Sequence, residues 1–164
     1  FDVLISALST MGTPYELTIV GDGPEAARLR SAATDLPVTF AGQLGREQLM
    51  RRYAESDLVV FPSRRASSGD QDGLPVALLE AMGAGRAVIV SDLPGLNEAV
   101  VHETSGLIVA PEDEDALQRS IARLAADPEQ RHRLGGAARA RAQEYSVPAT
   151  VARYRTLITE VLAS

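Results

Sequence analysis

A chain of 164 residues, 45% apolar and 23% charged, is long enough to bury a core and has the composition of an ordinary globular domain. Its net charge of −6, with no basic block, argues against general nucleic-acid binding. Cysteine is absent, which excludes disulfides and thiolate metal sites, and His102 and His132 lack metal-ligand spacing.

Lysine is also absent, so every fixed positive side chain is an arginine. No apolar run reaches membrane-spanning length and no signal peptide is visible. Phe1 stands where an initiator methionine would, so the chain is expected to be a fragment or a processed piece. The expected location is cytoplasmic, or peripheral to a membrane in the full-length protein.

In chain order, Phe1 to Met11 has apolar residues at 1, 4, 5 and 8, which predicts an amphipathic helix ended by Gly12. Leu17 to Val20 reads as a short strand, stopped by Gly21-Asp22-Gly23-Pro24. A helix is expected over Glu25 to Ala33, a strand over Val38 to Ala41, and a helix over Arg46 to Ala54 with Leu49 and Tyr53 on one face. Leu58 to Phe61 is the next expected strand, ended by Pro62 and Ser63, with a polar loop running on to Asp72. Ala87 to Val90 and Leu107 to Val109 read as strands, with a short helix over Leu96 to Val100 between them. Asp113 to Ala126 has Leu117, Ile121 and Leu124 on one helical face. Two more helices are expected, Pro128 to about Glu144 and Ser146 to about Leu162. The alanine- and arginine-rich stretch Arg131 to Arg141 is expected to be an exposed helix, and Tyr145 and Tyr154 to be packing residues.

Short apolar strands alternating with helices predict an α/β fold with one parallel sheet of about five strands, covered by helices on both faces. No linker or repeat interrupts the pattern, so residues 1–164 are expected to form one domain.

The most informative stretch is Ser67 to Gly85, SSGDQDGLPVALLEAMGAG. Pro75 suits the first turn of a helix, where its missing N–H has no helical partner. Val76 to Met82 is apolar apart from Glu80, and a carboxylate on so apolar a helix needs a partner. Asp72 lies just outside the helix, so the two acids are expected to hold different parts of one ligand. The helix N-terminus between them offers free N–H groups and the positive end of a dipole, which suits phosphate. Plainer readings are that Asp72 caps the helix and that Glu80 pairs with an arginine such as Arg86. In an open parallel sheet, ligands bind beyond the carboxyl ends of the strands, where Gly21-Asp22-Gly23-Pro24, Gly42-Gln43-Leu44 and Pro62-Ser63 all fall. The first of these is not a dinucleotide fingerprint, and alone it is only a glycine turn.

The ordered set Ile-Val-Gly-Asp-Gly-Pro, Phe-Ala-Gly, Asp-Leu-Val-Val-Phe-Pro-Ser, Asp-Gly-Leu-Pro, Leu-Glu-Ala-Met and Ser-Asp-Leu-Pro-Gly-Leu-Asn-Glu runs from Ile19 to Glu98, and the resemblance it carries covers residues 1 to about 110. It resembles the donor-binding C-terminal half of a retaining glycosyltransferase of the GT-B fold, of the family 4 type. The family motif is a glutamate, seven residues and a second glutamate; Asp72 and Glu80 occupy those positions, with aspartate a departure at the first. The resemblance implies a Rossmann-like half of a GT-B fold whose first strand, basic pair and acceptor-binding N-terminal domain are missing here. It implies that Gly21 and Gly23 let backbone approach the nucleotide, and that Gln43 and Leu44 meet the base. Ser63 is assigned to the donor site with them. Gly73, Leu74, Pro75 and Val76 would turn backbone N–H groups toward sugar or phosphate. Glu80 would accept hydrogen bonds from the ribose hydroxyls and Asp72 from the transferred sugar; these two are the catalytic candidates. Arg64 and Arg65 could reach phosphate, although solvated loop arginines are the plainer reading.

The expected function is transfer of a sugar from a nucleoside diphosphate donor, without a metal or other cofactor and without activity in this chain alone. The alternatives are a sugar-nucleotide epimerase or hydrolase of the same fold, and a non-catalytic nucleotide-binding or assembly module. A missing central strand would leave sheet edges unpaired, to be filled by another chain or by a segment outside this sequence, unless the sheet has closed up.

Overall fold

A computed structural model describes residues 1–64 and 73–163. The elements, in order, are α1 (Asp2–Ser9), β1 (Leu17–Val20), α2 (Ala26–Ala32), β2 (Val38–Gly42), α3 (Arg46–Glu55), β3 (Leu58–Phe61) and α4 (Val76–Gly83). They continue with β4 (Ala87–Ser91), α5 (Leu96–Ala99), β5 (Leu107–Val109), α6 (Glu114–Ala126), α7 (Pro128–Gln143) and α8 (Val147–Ala163). All five expected strands are present.

Every strand pair is parallel, yet the strands form two sheets, not the one expected. β1 pairs with β2, and β4 lies between β3 and β5. No ladder joins β1 to β3. β4 carries the main core because it has a neighbour on each side and helices on each face. All five of its residues are buried. Their alternation sorts them to opposite faces. Ala87 and Ile89 pack with α1, α6 and Leu134, while Val88 and Val90 pack with Tyr53, α4 and Ala138. A smaller cluster of Ile5, Ile19, Leu29 and Ala33 holds α1 and α2 against the β1–β2 pair.

The helix ends follow local chemistry. Asp113 accepts from the Ala116 N–H at 2.8 Å, and Asp127 accepts from the Gln130 N–H at 2.8 Å, with Pro128 at the first helical position. Helix α7 corrects the expectation of an exposed helix. Leu134, Gly135 and Ala138 are buried, because α7 lies directly on the turn between α4 and β4. A Cβ on Gly135 would stand 2.2 Å from the Gly85 carbonyl oxygen, so only glycine permits this approach. Arg131 is 18% exposed and donates to the Leu124 and Ala125 carbonyls at the end of α6, as well as to Asp57. Helix α8 lies apart from this body, and its apolar residues Val151, Leu157 and Ile158 are exposed. Tyr145 packs as expected: its hydroxyl donates to the Glu98 carbonyl at 3.0 Å beneath the Arg141 guanidinium. Tyr154, expected to pack, is 66% exposed. No helix among the described residues is long and apolar enough to cross a membrane.

Candidate functional site

The loops at the carboxyl ends of the strands fall into three groups. In the first, the loops after β1 and β2 are tied together. The Gly21 N–H donates to the Gly42 carbonyl at 2.7 Å, and a Cβ on Gly42 would lie 3.4 Å from an Asp22 carboxylate oxygen. This joins the Gly21 to Gly23 turn to the Gly42-Gln43-Leu44 turn. Gln43 is exposed and Leu44 half-buried. Arg30 stands beside this pair of loops, 3.9 Å from Asp22 and 5.4 Å above the Phe40 ring.

The second group gathers Ser63, Gly73 and Pro75, which line one large cavity together with Leu93 and Pro94. Gly21, Gly23, Gln43, Leu44, Leu74, Val76 and Glu80 do not line it. The turn after β4 presses on this group. Gly95, at φ +82, brings its backbone so close that a Cβ would sit 3.0 Å from Gly73 C and Leu74 N. A larger residue would meet both the conformational and the steric barrier. Nothing in the spacing of the sequence marked Gly95; its role depends on two loops meeting.

The third group is Glu80 on α4 and Tyr53 on α3. Helix α4 begins one residue later than expected. Pro75 has ψ 127 and is the residue before the helix, its carbonyl accepting from the Leu78 N–H at 3.1 Å. The Val76 and Ala77 N–H groups have no protein partner among the described residues. Leu78, Ala81 and Met82 are buried, Val76 is 70% exposed, and Glu80 is half-buried. Among the described residues no hydrogen bond or ion pair engages the Glu80 carboxylate. Arg86 does not pair with it. Its guanidinium instead donates to the Ala84, Ala54 and Ser56 carbonyls, closing the ends of α4 and α3. Tyr53 donates its hydroxyl to the Ala77 carbonyl at 3.1 Å, which fixes the first turn of α4 against α3. Burial, and then the negative charge of Glu80, push the Tyr53 phenol up to about 12. Tyr53 was placed by sequence only as an apolar position; its hydroxyl bond to α4 required knowing which helix it faces.

Asp72 and Arg65 lie outside the described residues. Arg64 is not a free cation, since it pairs with Asp2 at 3.1 Å. Asp2 also holds Arg28 at 3.3 Å. Burial works against the Asp2 carboxylate, but the Val3 N–H, the chain N-terminus, Arg64 and Arg28 together hold it below the usual aspartate value. His102 is a backbone partner, its Nδ1 accepting from the Ile108 N–H at 2.9 Å, and His132 is exposed. Aspartates two apart occur at Asp70 and Asp72, outside the described residues, and at Asp113 and Asp115, where Asp113 is occupied as the α6 cap.

Residues 1–141 match the family model described as Glycosyl transferases group 1. The chain is 36% identical over 121 residues to the amylovoran biosynthesis glycosyltransferase AmsK of Erwinia amylovora, covering 71% of this chain and 30% of that protein. It is 33% identical over 146 residues to the GDP-mannose-dependent alpha-(1-6)-phosphatidylinositol monomannoside mannosyltransferase of Mycobacterium tuberculosis, covering 84% and 38%. Among solved structures it is similar to sucrose-phosphate synthase of Thermosynechococcus elongatus, with a TM-score of 0.80, 29% identity, and coverage of 99% of this chain and 42% of that one. Anabaena HepE, solved in complex with UDP, gives a TM-score of 0.78 at 26% identity over 98% of this chain and 44% of that one. The chain thus spans 30% and 38% of the two curated relatives named. With five parallel strands, loops gathered at their carboxyl ends and 141 residues matching one family model, the chain belongs to the glycosyl transferases group 1 family.

Proposed function

We propose that this chain is the donor-binding half of a retaining glycosyltransferase, holding a nucleoside diphosphate sugar for transfer to an acceptor bound elsewhere in the full-length protein. The observation that carries the reading is Glu80. A half-buried carboxylate without a cation among the described residues, on a helix otherwise packed into the core, is costly to keep unless a ligand uses it. Ribose hydroxyls are fitting donors to it, because a charged acceptor makes the stronger kind of hydrogen bond. The Val76 and Ala77 N–H groups offer a place for phosphate or sugar oxygens. The Gly21–Gly42 loop pair offers backbone and the Gln43–Leu44 edge for the base. HepE, a structural relative, was solved with UDP, which supports a nucleoside diphosphate in this class of site. Asp72 would bind hydroxyls of the transferred sugar. No step needs a metal. The protein would act by holding the donor in place and by stabilising the diphosphate leaving group.

The test is a thermal-shift panel of UDP, GDP, ADP and their sugar conjugates. A ligand at a hundredfold over its dissociation constant adds about 2.7 kcal/mol. For a domain of this size that raises Tm by on the order of 5–10 °C. The expected result is a shift with one base that is lost in Glu80→Ala. No shift with any nucleotide, in this chain and in the full-length protein alike, would overturn the reading. Transfer itself is expected only from the full-length protein, and turnover by the pure chain would contradict that part of the proposal.

A further inference from the structure

The turn after β4 carries a polar pair that the donor site as described does not use. Asp92 and Asn97 are both exposed, and the Asn97 Nδ2 donates to Asp92 Oδ1 at 2.8 Å. Between them in the chain lies Gly95, whose backbone abuts the Gly73–Leu74 peptide. The base of the turn is tied to the strands on either side of β4. The Ser91 hydroxyl donates to the Phe61 carbonyl at the end of β3, at 3.5 Å, and the Asp92 N–H donates to the Val109 carbonyl at the end of β5, at 2.7 Å. The Leu93 carbonyl accepts from the Leu96 and Asn97 N–H groups at 3.1 and 3.0 Å, which starts α5.

We propose that Asp92 and Asn97 are positioning residues for the sugar-diphosphate end of the donor, acting through Gly95 on the Gly73–Leu74 peptide. Three observations support it. First, Gly95 sits at φ +82, a conformation that only glycine adopts readily, and glycine leaves the backbone loose. The Asp92–Asn97 bond joins the two sides of the turn across this loose point. Second, the contact between the turns is tight. A Cβ on Gly95 would lie 3.0 Å from Gly73 C and Leu74 N and 3.1 Å from the Gly73 carbonyl oxygen, so movement of one turn is passed to the other. Third, the peptide has no bond of its own to hold it. Neither the Gly73 carbonyl nor the Leu74 N–H has a hydrogen-bond partner among the described residues. Packing against Gly95 is what fixes its place.

The two turns also share a surface. Gly73 and Pro75 line the large cavity beside Leu93, Pro94 and Leu96, so the turn after β4 forms one wall with the start of α4. The assignment rests on the donor-site reading, and it separates two parts of that site. The nucleoside is held by the Gly21–Gly42 loop pair and by Glu80, none of which touches the turn after β4. The sugar and its phosphate meet backbone from Gly73 onward, which does. Loosening the turn should therefore weaken the far end of the donor and spare the nucleoside. A misplacement of about 1 Å in a positioning group can cost about a hundredfold. Loss of one exposed bond moves the peptide by less than that, and about a tenfold loss is expected.

The test is calorimetric binding to the full-length protein of UMP, UDP-glucose, GMP and GDP-mannose, with the matching pair used for whichever base binds. Asp92→Ala and Asn97→Ala should each raise the Kd of the sugar conjugate about tenfold and leave that of the monophosphate within about twofold. The double variant should be no worse than either single one, because the two side chains act through one bond. Asp92→Asn keeps an oxygen acceptor for Asn97 and should restore binding of the conjugate. The proposal is overturned if the conjugate binds the alanine variants as it binds the unaltered protein. A parallel loss for monophosphate and conjugate also overturns it, since that marks general loosening of the domain. So does an equal loss in Asp92→Asn, which would mean that the charge matters and the bond does not. Binding of none of the four ligands by the unaltered protein would instead remove the donor-site reading, and this assignment with it.

Discussion

Tyr53 serves structure and charge at once. Its hydroxyl holds the first turn of α4 through Ala77, and its ring stands near the Glu80 carboxylate. Because the folded phenol is raised from 10.0 to about 12, the folded state binds its proton more tightly than the unfolded chain. That contribution to stability is fully present below pH 10 and is lost as pH rises from there toward about 12. Tyr53→Phe should flatten the loss in that window, and at neutral pH should lower stability by about 1 kcal/mol through the missing bond to Ala77. Denaturant unfolding at several pH values reads both effects; a slope between pH 10 and 12 unchanged in the variant would sink the assignment. Glu80 itself was legible in the sequence, because a single carboxylate in an apolar helical run stands out. Its surroundings were not: the Arg86 alternative fails because that side chain turns to the carbonyls of Ala54 and Ser56, a choice that only tertiary packing decides.

At the scale of elements, the five strands were legible because each is a short β-branched run between turn residues, and period and punctuation agree there. Helix α6 was legible for a similar reason, with a capping Asp113 and a clean apolar face. Helix α7 was not. Its buried stripe is Leu134, Gly135 and Ala138, too small-sided to register as an apolar face. Small residues there allow backbone to approach backbone, and that need arises only when α7 meets the Gly85 turn. Gly135→Ala tests this directly. Helical propensity alone predicts a gain of up to about 1 kcal/mol. The 2.2 Å separation between the new Cβ and the Gly85 carbonyl oxygen predicts the opposite, since backbone on both sides must shift. The expected result is a loss of about 1–3 kcal/mol, the usual range for overpacking. Gly136→Ala, one residue away with open space around it, is the matched control and should not be destabilising. Equal Tm changes in the two variants would show that α7 does not press on the turn.

For the whole molecule, the body and the last helix obey different rules. The body is held by three apolar clusters, and its division into a β1–β2 pair and a β3–β4–β5 sheet departs from the single sheet expected, although the sequence does predict unpaired edges where a central strand is missing. Helix α8 was placed correctly as a helix but not as a bystander. Its apolar positions Val147, Val151, Tyr154 and Ile158 recur at intervals of three and four, which makes a stripe, yet each is exposed. A stripe that buries nothing contributes little hydrophobic stabilisation, whatever its sequence. Near its own start it is tied by the bond from Arg153 to the Glu144 carbonyl. Ending the chain after Ser146 should therefore change Tm by no more than about 2–4 °C, the shift expected from about 1 kcal/mol in a domain of this size. The far-ultraviolet circular dichroism should fall by the helical signal of α8 alone, while near-ultraviolet signals from the remaining tyrosines stay in place. A large loss of stability on truncation would mean that α8 packs on the body in solution, and that its stripe belongs to the core of this domain.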